Sequence, residues 1–193
     1  MEKYLEQSEY IDWNDKNILD LAEELSKDKT NELEITNSCF EWVRDNIKHS
    51  WDYKMNPVTC KASDVLKHGT GYCYAKSHLL AALLRANNVP AGLCYQRLSV
   101  NDDGAPYCLH GLNAVYLKEH GWYRIDARGN KEGVDAQFTP PYEQLAFAIN
   151  EENEKDLSEI WIKPLDLVIE VLTSYPTVED VIENLPDIEI TNN

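Results

Sequence analysis

The run GTGYCYAKSHLLAALLRANNVPAG, residues 69–92, constrains this chain more than any other stretch. It opens with a glycine-bearing turn and continues as an alanine- and leucine-rich segment. It stops at Asn88, with Pro90 just beyond. Ala75, Leu79, Ala82, Leu83 and Ala86 share one helical face, and Leu80 and Leu84 widen it. Such a helix is apolar on most sides and is expected to be buried.

The flanking sequence supplies candidate layers around it. Residues 14–28 read as a helix that Asn14 can cap, with Ile18, Leu21, Ala22 and Leu25 on one face. A second helix is expected over 31–48, with Ile35, Cys39, Trp42, Val43 and Ile47 on its apolar side. The stretch HSWDYKMNPVTC reads as a loop broken by Asn56-Pro57, and Ala62–Lys67 as a short helix ended by Gly69. After the buried helix come three strand-like runs, Ala91–Val100, Tyr107–Leu117 and Trp122–Arg128. The last two form a hairpin around KEHG. Helices followed by an antiparallel sheet predict an α+β domain. Beyond residue 130, Glu143–Asn150 reads as helix, Leu165–Ser174 as helix or strand, Val178–Leu185 as a closing helix, and NEENEKD as a solvated acidic loop. The whole chain, 1–193, is expected to be one domain. Its core is placed at about 38–130, after an N-terminal helical region (1–37) and before a C-terminal helical extension (131–193).

Composition narrows the function. The 34 acidic residues against 18 basic ones give a net charge of −16, which repels phosphate backbones and anionic lipids. Nucleic-acid and membrane partners are therefore set aside. No stretch reaches the roughly 18 apolar residues of a membrane span. MEKYLEQSEYIDW has neither a basic n-region nor an apolar h-region, so a cytoplasmic location is the expectation. The five cysteines, Cys39, Cys60, Cys73, Cys94 and Cys108, show neither a disulfide framework nor zinc-ligand spacing. Four of them read as small buried hydrophobes.

Cys73 is the fifth. It falls in the first turn of the buried helix, just after Gly69-Thr-Gly71. A helix N-terminus stabilises a thiolate through its free N–H groups and dipole. Those N–H groups, that of Cys73 included, suit a developing oxyanion. A thiolate nucleophile needs an imidazole to hold the ion pair and to protonate the leaving group. In the strand YCLHGLNAVYL, His110, Leu112, Ala114 and Tyr116 share a face. A hairpin centred near residue 119 places Asp126 opposite Leu112, hence diagonal to His110 on the same face. A slip of one residue would separate the two. A carboxylate there would fix the imidazole tautomer. His49, His68, His78 and His120 read as surface or packing residues, and Asp52 and Asp64 as capping or solvated groups.

Several blocks resemble the transglutaminase-like superfamily in its small bacterial form. They are Phe40-Glu-Trp-Val-Arg-Asp-Asn-Ile, Ala62-Ser-Asp-Val-Leu, Gly71-Tyr-Cys73-Tyr-Ala-Lys, Leu83-Leu-Arg-Ala-Asn-Asn-Val-Pro, His110-Gly-Leu-Asn-Ala-Val-Tyr-Leu and Gly121-Trp-Tyr-Arg-Ile-Asp126. They cover about residues 38–130, in the family's order. The resemblance implies a papain-like fold with Cys73 as nucleophile, His110 as acid/base and Asp126 as orienter. It also implies an acyl-enzyme on Cys73 and no cofactor. Members often carry an aromatic or amide group upstream of the cysteine to complete the oxyanion hole. The matching neighbourhood here offers His49 or Trp51.

The expected function is thus a thiol hydrolase or acyltransferase acting on a peptide, protein or small amide. Hydrolysis is favoured over cross-linking, because water is always available and nothing in the sequence marks an amine site. A binding module without turnover is the alternative, but it would have no need of all three residues.

Overall fold

The computed structural model describes residues 1–101 and 103–188. After a 3₁₀ turn at Glu2–Tyr4 come helices α1 (Lys16–Ser26) and α2 (Glu32–Asn46). Both start on side-chain caps. Asp15 accepts the Asn17 N–H at 2.8 Å, and Asn31 accepts the Glu34 N–H at 3.0 Å. The α1 cap is therefore Asp15 and not Asn14, a shift of one residue within a run where either side chain qualifies. The next residues, expected as a loop, contain a two-residue strand β1 (Lys48–His49) and a helical turn α3 (Ser50–Tyr53). Helix α4 (Ala62–His68) ends on Gly69 at φ 67°, and strand β2 (Thr70–Gly71) pairs in parallel with β1. That short pairing gives the 48–53 segment the order that its own sequence does not signal.

Helix α5 (Cys73–Ala86) is the centre of the fold, and all of it but Ala86 is buried. Helices α1, α2 and α4 cover one side, and strands β3 (Ala91–Ser99) and β4 (Tyr107–Leu117) cover the other. Polar side chains lock this sandwich. Asn113 on β4 is wholly buried and donates to the carbonyls of Ser77 on α5 (2.9 Å) and Gly92 on β3 (3.2 Å). Arg85 at the end of α5 donates to the carbonyls of Glu6, Ala91 and Ile162, which ties the N-terminal segment and the 162 region to one guanidinium.

Strand β5 (Gly121–Ile125) completes the hairpin with β4. Its register runs from Leu117↔Gly121 to Asn113↔Ile125, which is the hairpin centred on residue 119. Strands β6 (Gln137–Thr139) and β7 (Tyr142–Gln144) form a small hairpin, and β8 (Lys155–Asp156) pairs with β3. The main sheet is antiparallel, in the order β5-β4-β3-β8. Helices α6 (Asp166–Ser174) and α7 (Val178–Glu183) follow. The architecture is α+β, and no helix among the described residues is long and apolar enough to cross a membrane.

Two readings of the C-terminal third are corrected. Glu143–Asn150 is not a helix: Tyr142–Gln144 is a strand paired with Gln137–Thr139, and that partner, rather than the local pattern, decides its conformation. The acidic run is not wholly solvated either. Glu154 is buried and accepts the N–H groups of Ser99 (2.9 Å), Asn150 (2.7 Å) and Glu151 (3.2 Å), while Lys155–Asp156 joins the sheet. A carboxylate with several backbone donors can be buried, and composition does not show where those donors are.

Candidate active site

Strand β5 covers only half of β4. It pairs with residues 113–117 and then peels away, leaving the edge of β4 open from 107 to 112. The N-terminus of α5 fills part of that edge. The Gly111 N–H points at the Cys73 sulfur, 3.5 Å away. Gly111 is needed for this approach, since a Cβ there would lie 3.0 Å from the Tyr74 Cα and 3.2 Å from its N. Gly111→Ala is expected to push the start of α5 off the strand and to cost about 1–3 kcal/mol of stability. Slower labelling of Cys73 with iodoacetamide and a lower urea midpoint would check this. Unchanged values for both would mean that the contact is loose.

His110 and Asp126 meet on one face of the sheet. His110 Nε2 lies 2.7 Å from Asp126 Oδ2, and both side chains are at most 5% exposed. Phe147 packs edge-on against the His110 ring at 5.0 Å. Burial alone would push the imidazole down. The Asp126 carboxylate and the Cys73 sulfur outweigh it and lift His110 to about 10. Burial likewise opposes ionisation of Asp126, but His110 and the N–H groups of Arg128 and Ala146, each at 3.1 Å, hold its carboxyl below the usual range. The buried pair is thus an imidazolium and a carboxylate.

Cys73 is itself buried, like three of the other four cysteines. Cys39, Cys60 and Cys94 are buried, and Cys108 is half-buried rather than buried as expected. Burial is the first cause that pushes each of them up to about 12.

Of the two upstream candidates, His49 is drawn to this region. Its backbone pairs with Gly71, and its ring stands edge-on to Tyr72 at 5.5 Å. Burial first, then Arg128, holds it well below 6.5, so it is neutral at pH 7. Trp51 is half-buried against the main core, with Lys54 over its ring. His78 is a packing residue, fully buried with Nδ1 2.8 Å from the Cys60 carbonyl, and His68 and His120 are exposed.

Sequence reading missed the charged surroundings. Asp52 is an ion-pair hub, 2.8 Å from Arg128 Nη1 and 2.9 Å from Lys131 Nζ. Burial opposes its charge, but the hydrogen bonds from those two cations hold it down to about 2. Arg128 stands two residues beyond Asp126, a position that carried the only available hint. Lys76 is wholly buried one turn after Cys73 and donates to the carbonyls of Ile47 and, at 3.3 Å, Arg44. The chain's acidic excess does not gather here. The adjoining surface cavity, about 350 Å³, is lined by Arg44, Lys48, Arg128 and Lys131 against Asp45 and Asp52.

A sequence profile of the transglutaminase-like superfamily matches residues 19–127. A candidate cysteine protease of Cytophaga hutchinsonii superposes with a TM-score of 0.51 at 22% identity, over 65% of this chain and 40% of that one. The periplasmic domain of TgpA from Pseudomonas aeruginosa gives 0.49 at 16% identity, over 64% and 46%. The chain spans less than half the length of these solved proteins. No curated protein matches it.

Proposed function

Because the chain belongs to the transglutaminase-like superfamily, we propose that it is a thiol enzyme that cleaves an amide bond through an acyl-enzyme on Cys73. The observation that carries the reading is the buried His110–Asp126 pair, 2.7 Å apart, with His110 one residue before Gly111, whose N–H meets the Cys73 sulfur at 3.5 Å. The Cys73 thiolate attacks the amide carbon, and the oxygen takes up charge at the free N–H groups of the first turn of α5. His110 gives its proton to the departing nitrogen as the C–N bond breaks. Water then attacks the thioester, His110 takes the water's proton, the C–S bond breaks to return the Cys73 thiolate, and a carboxylic acid leaves. Asp126 holds the ring in place through both steps. His49 is the upstream side chain assigned to the carbonyl oxygen or the adjoining substrate, since its backbone is paired beside Gly71. Trp51 is the weaker candidate, because its ring packs on the core. Water is the preferred acceptor over an amine. A peptide, protein or small amide is the substrate, and no cofactor enters these steps. A cytoplasmic site of action is part of the proposal.

The test is turnover on a panel of peptide and glutamine amides, paired with iodoacetamide labelling at pH 6. Cys73 should carry the main adduct, because the four other thiols are held protonated by burial. Cys73→Ala should abolish both signals. His49→Ala should leave labelling in place and lower turnover about 10²- to 10³-fold. Fast Cys73 labelling with no turnover on any amide would favour a binding module, and labelling spread evenly over the five cysteines would remove the nucleophile.

A further inference from the structure

The open edge of β4 holds a second occupant beside α5. Along a strand, alternate N–H groups point the same way, so Leu109 and Gly111 both face the edge that β5 leaves free. Gly111 meets the Cys73 sulfur. The Leu109 N–H, about 7 Å along the same edge at two residues' rise, donates to the Pro186 carbonyl at 2.7 Å. Pro186 is buried. The next residue, Asp187, forms a two-pronged pair with Arg97, with both N···O distances at 2.7 Å. Arg97 stands directly across the sheet from Leu109 in the β3–β4 register. On the other flank of Cys73, the Tyr72 hydroxyl donates to the Val178 carbonyl at 2.6 Å. Helix α7 and the segment after it therefore straddle the junction of Tyr72–Cys73 with Leu109–His110.

We propose that the β4 edge at Leu109 is a docking site for an extended acidic peptide, and that residues 184–188 of this chain occupy it as an internal stand-in that covers Cys73. The proposal rests on the reading of Cys73 as the nucleophile and names its substrate class. The site adds a peptide to the strand edge: the Leu109 N–H takes a main-chain carbonyl, and Arg97 reads the Asp or Glu that follows it. Main-chain bonds to a strand edge are indifferent to side chains, so the guanidinium supplies the selectivity. One edge carries both the sulfur contact and the main-chain contact. A peptide seated at Leu109 therefore abuts the start of α5 at Cys73, and residues 184–188 must leave first.

The test uses the full chain. Tyr72→Phe with Asp187→Lys removes the hydroxyl that holds Val178 and reverses the charge that faces Arg97. Amide exchange at Leu109 and iodoacetamide labelling of Cys73 should each accelerate by about tenfold or more as the segment lifts. A blocked peptide Glu-Asn-Leu-Pro-Asp-Ile, the sequence of residues 183–188, should return both rates toward wild type at millimolar concentration, and the same peptide with Lys for Asp should not. A second set guards against a folding defect: Asp187→Arg alone should be fast, and Asp187→Arg with Arg97→Glu should be slow again. Wild-type exchange at Leu109 in the folded variants, or equal effects of the two peptides, would overturn the docking site. Leu109 exchange is blind to chemistry at the sulfur. Failure of the docking is read there, and failure of the thiol reading in the absence of Cys73-dependent turnover.

Discussion

Asp126→Asn is expected to lower turnover by about 10³- to 10⁴-fold while the chain stays folded. The carboxylate accepts from three donors. Oδ2 takes His110 Nε2 and the Ala146 N–H, and Oδ1 takes the Arg128 N–H. An Asn side chain has one oxygen and one NH₂ group, so either orientation sets a donor against a donor. If the NH₂ group faces His110, the ring must turn its lone pair toward it and settle in the other tautomer. If it faces Arg128, a backbone donor loses its acceptor at a cost of about 1–3 kcal/mol. In both cases the negative charge that lifts His110 to about 10 is gone. The imidazolium is then no longer held through neutral pH. Across pH 6–8 the variant should label at Cys73 more slowly than wild type, because it lacks the charged imidazole that the proposed chemistry needs. Superimposable curves would mean that Asp126 is not coupled to the pair. The fold should survive because the size is kept and His110 can shed its proton.

Lys76→Met and His110→Gln should change the pH dependence of stability in opposite directions. Burial first, then Arg128, holds Lys76 down to about 7, against about 10.4 in an unfolded chain. Between those values the unfolded state binds the extra proton, so Lys76 makes the protein more stable as pH rises from 7 to 10. His110 has the reverse sign. Its folded value of about 10 lies above the unfolded 6.5, so its contribution is complete below pH 6.5 and is lost as pH rises toward 10. The two windows overlap and oppose each other. Lys76→Met leaves the His110 slope exposed, and stability relative to wild type should fall by several kcal/mol from pH 7 to 10. His110→Gln should rise by a similar amount. Cys39, Cys60, Cys94 and Cys108 are common to all three proteins and cancel in the difference. Lys76→Met should also be less stable at pH 9, since the Ile47 and Arg44 carbonyls lose their donor. Urea midpoints every half pH unit measure this. Variant curves parallel to wild type would show that neither group has the charge state assigned here.

The parts of the fold that sequence reading reached are those carried by local periods. Helix α5 announces itself through apolar residues on nearly every side, and it is buried on nearly every side. The hairpin register follows from one turn and an alternation of two, and Leu117↔Gly121 reproduces it. That register runs to Ile125, one residue short of Asp126, whose carboxylate then reaches His110 Nε2 at 2.7 Å. Residues 48–53 and 137–156 were read less well, because their order comes from partners elsewhere: β2 for His49, β3 for Asp156, and three backbone donors for Glu154. No period marks such contacts in the chain itself. The sequence alone set the helix that carries Cys73 and the strand pair that carries His110 and Asp126. Only the tertiary structure brought helix and strand together at Gly111, closed Asp52 on Arg128, and laid Pro186 on the Leu109 edge. Each of these contacts joins residues from different elements, and packing and charge bring such residues together only after the layers have assembled.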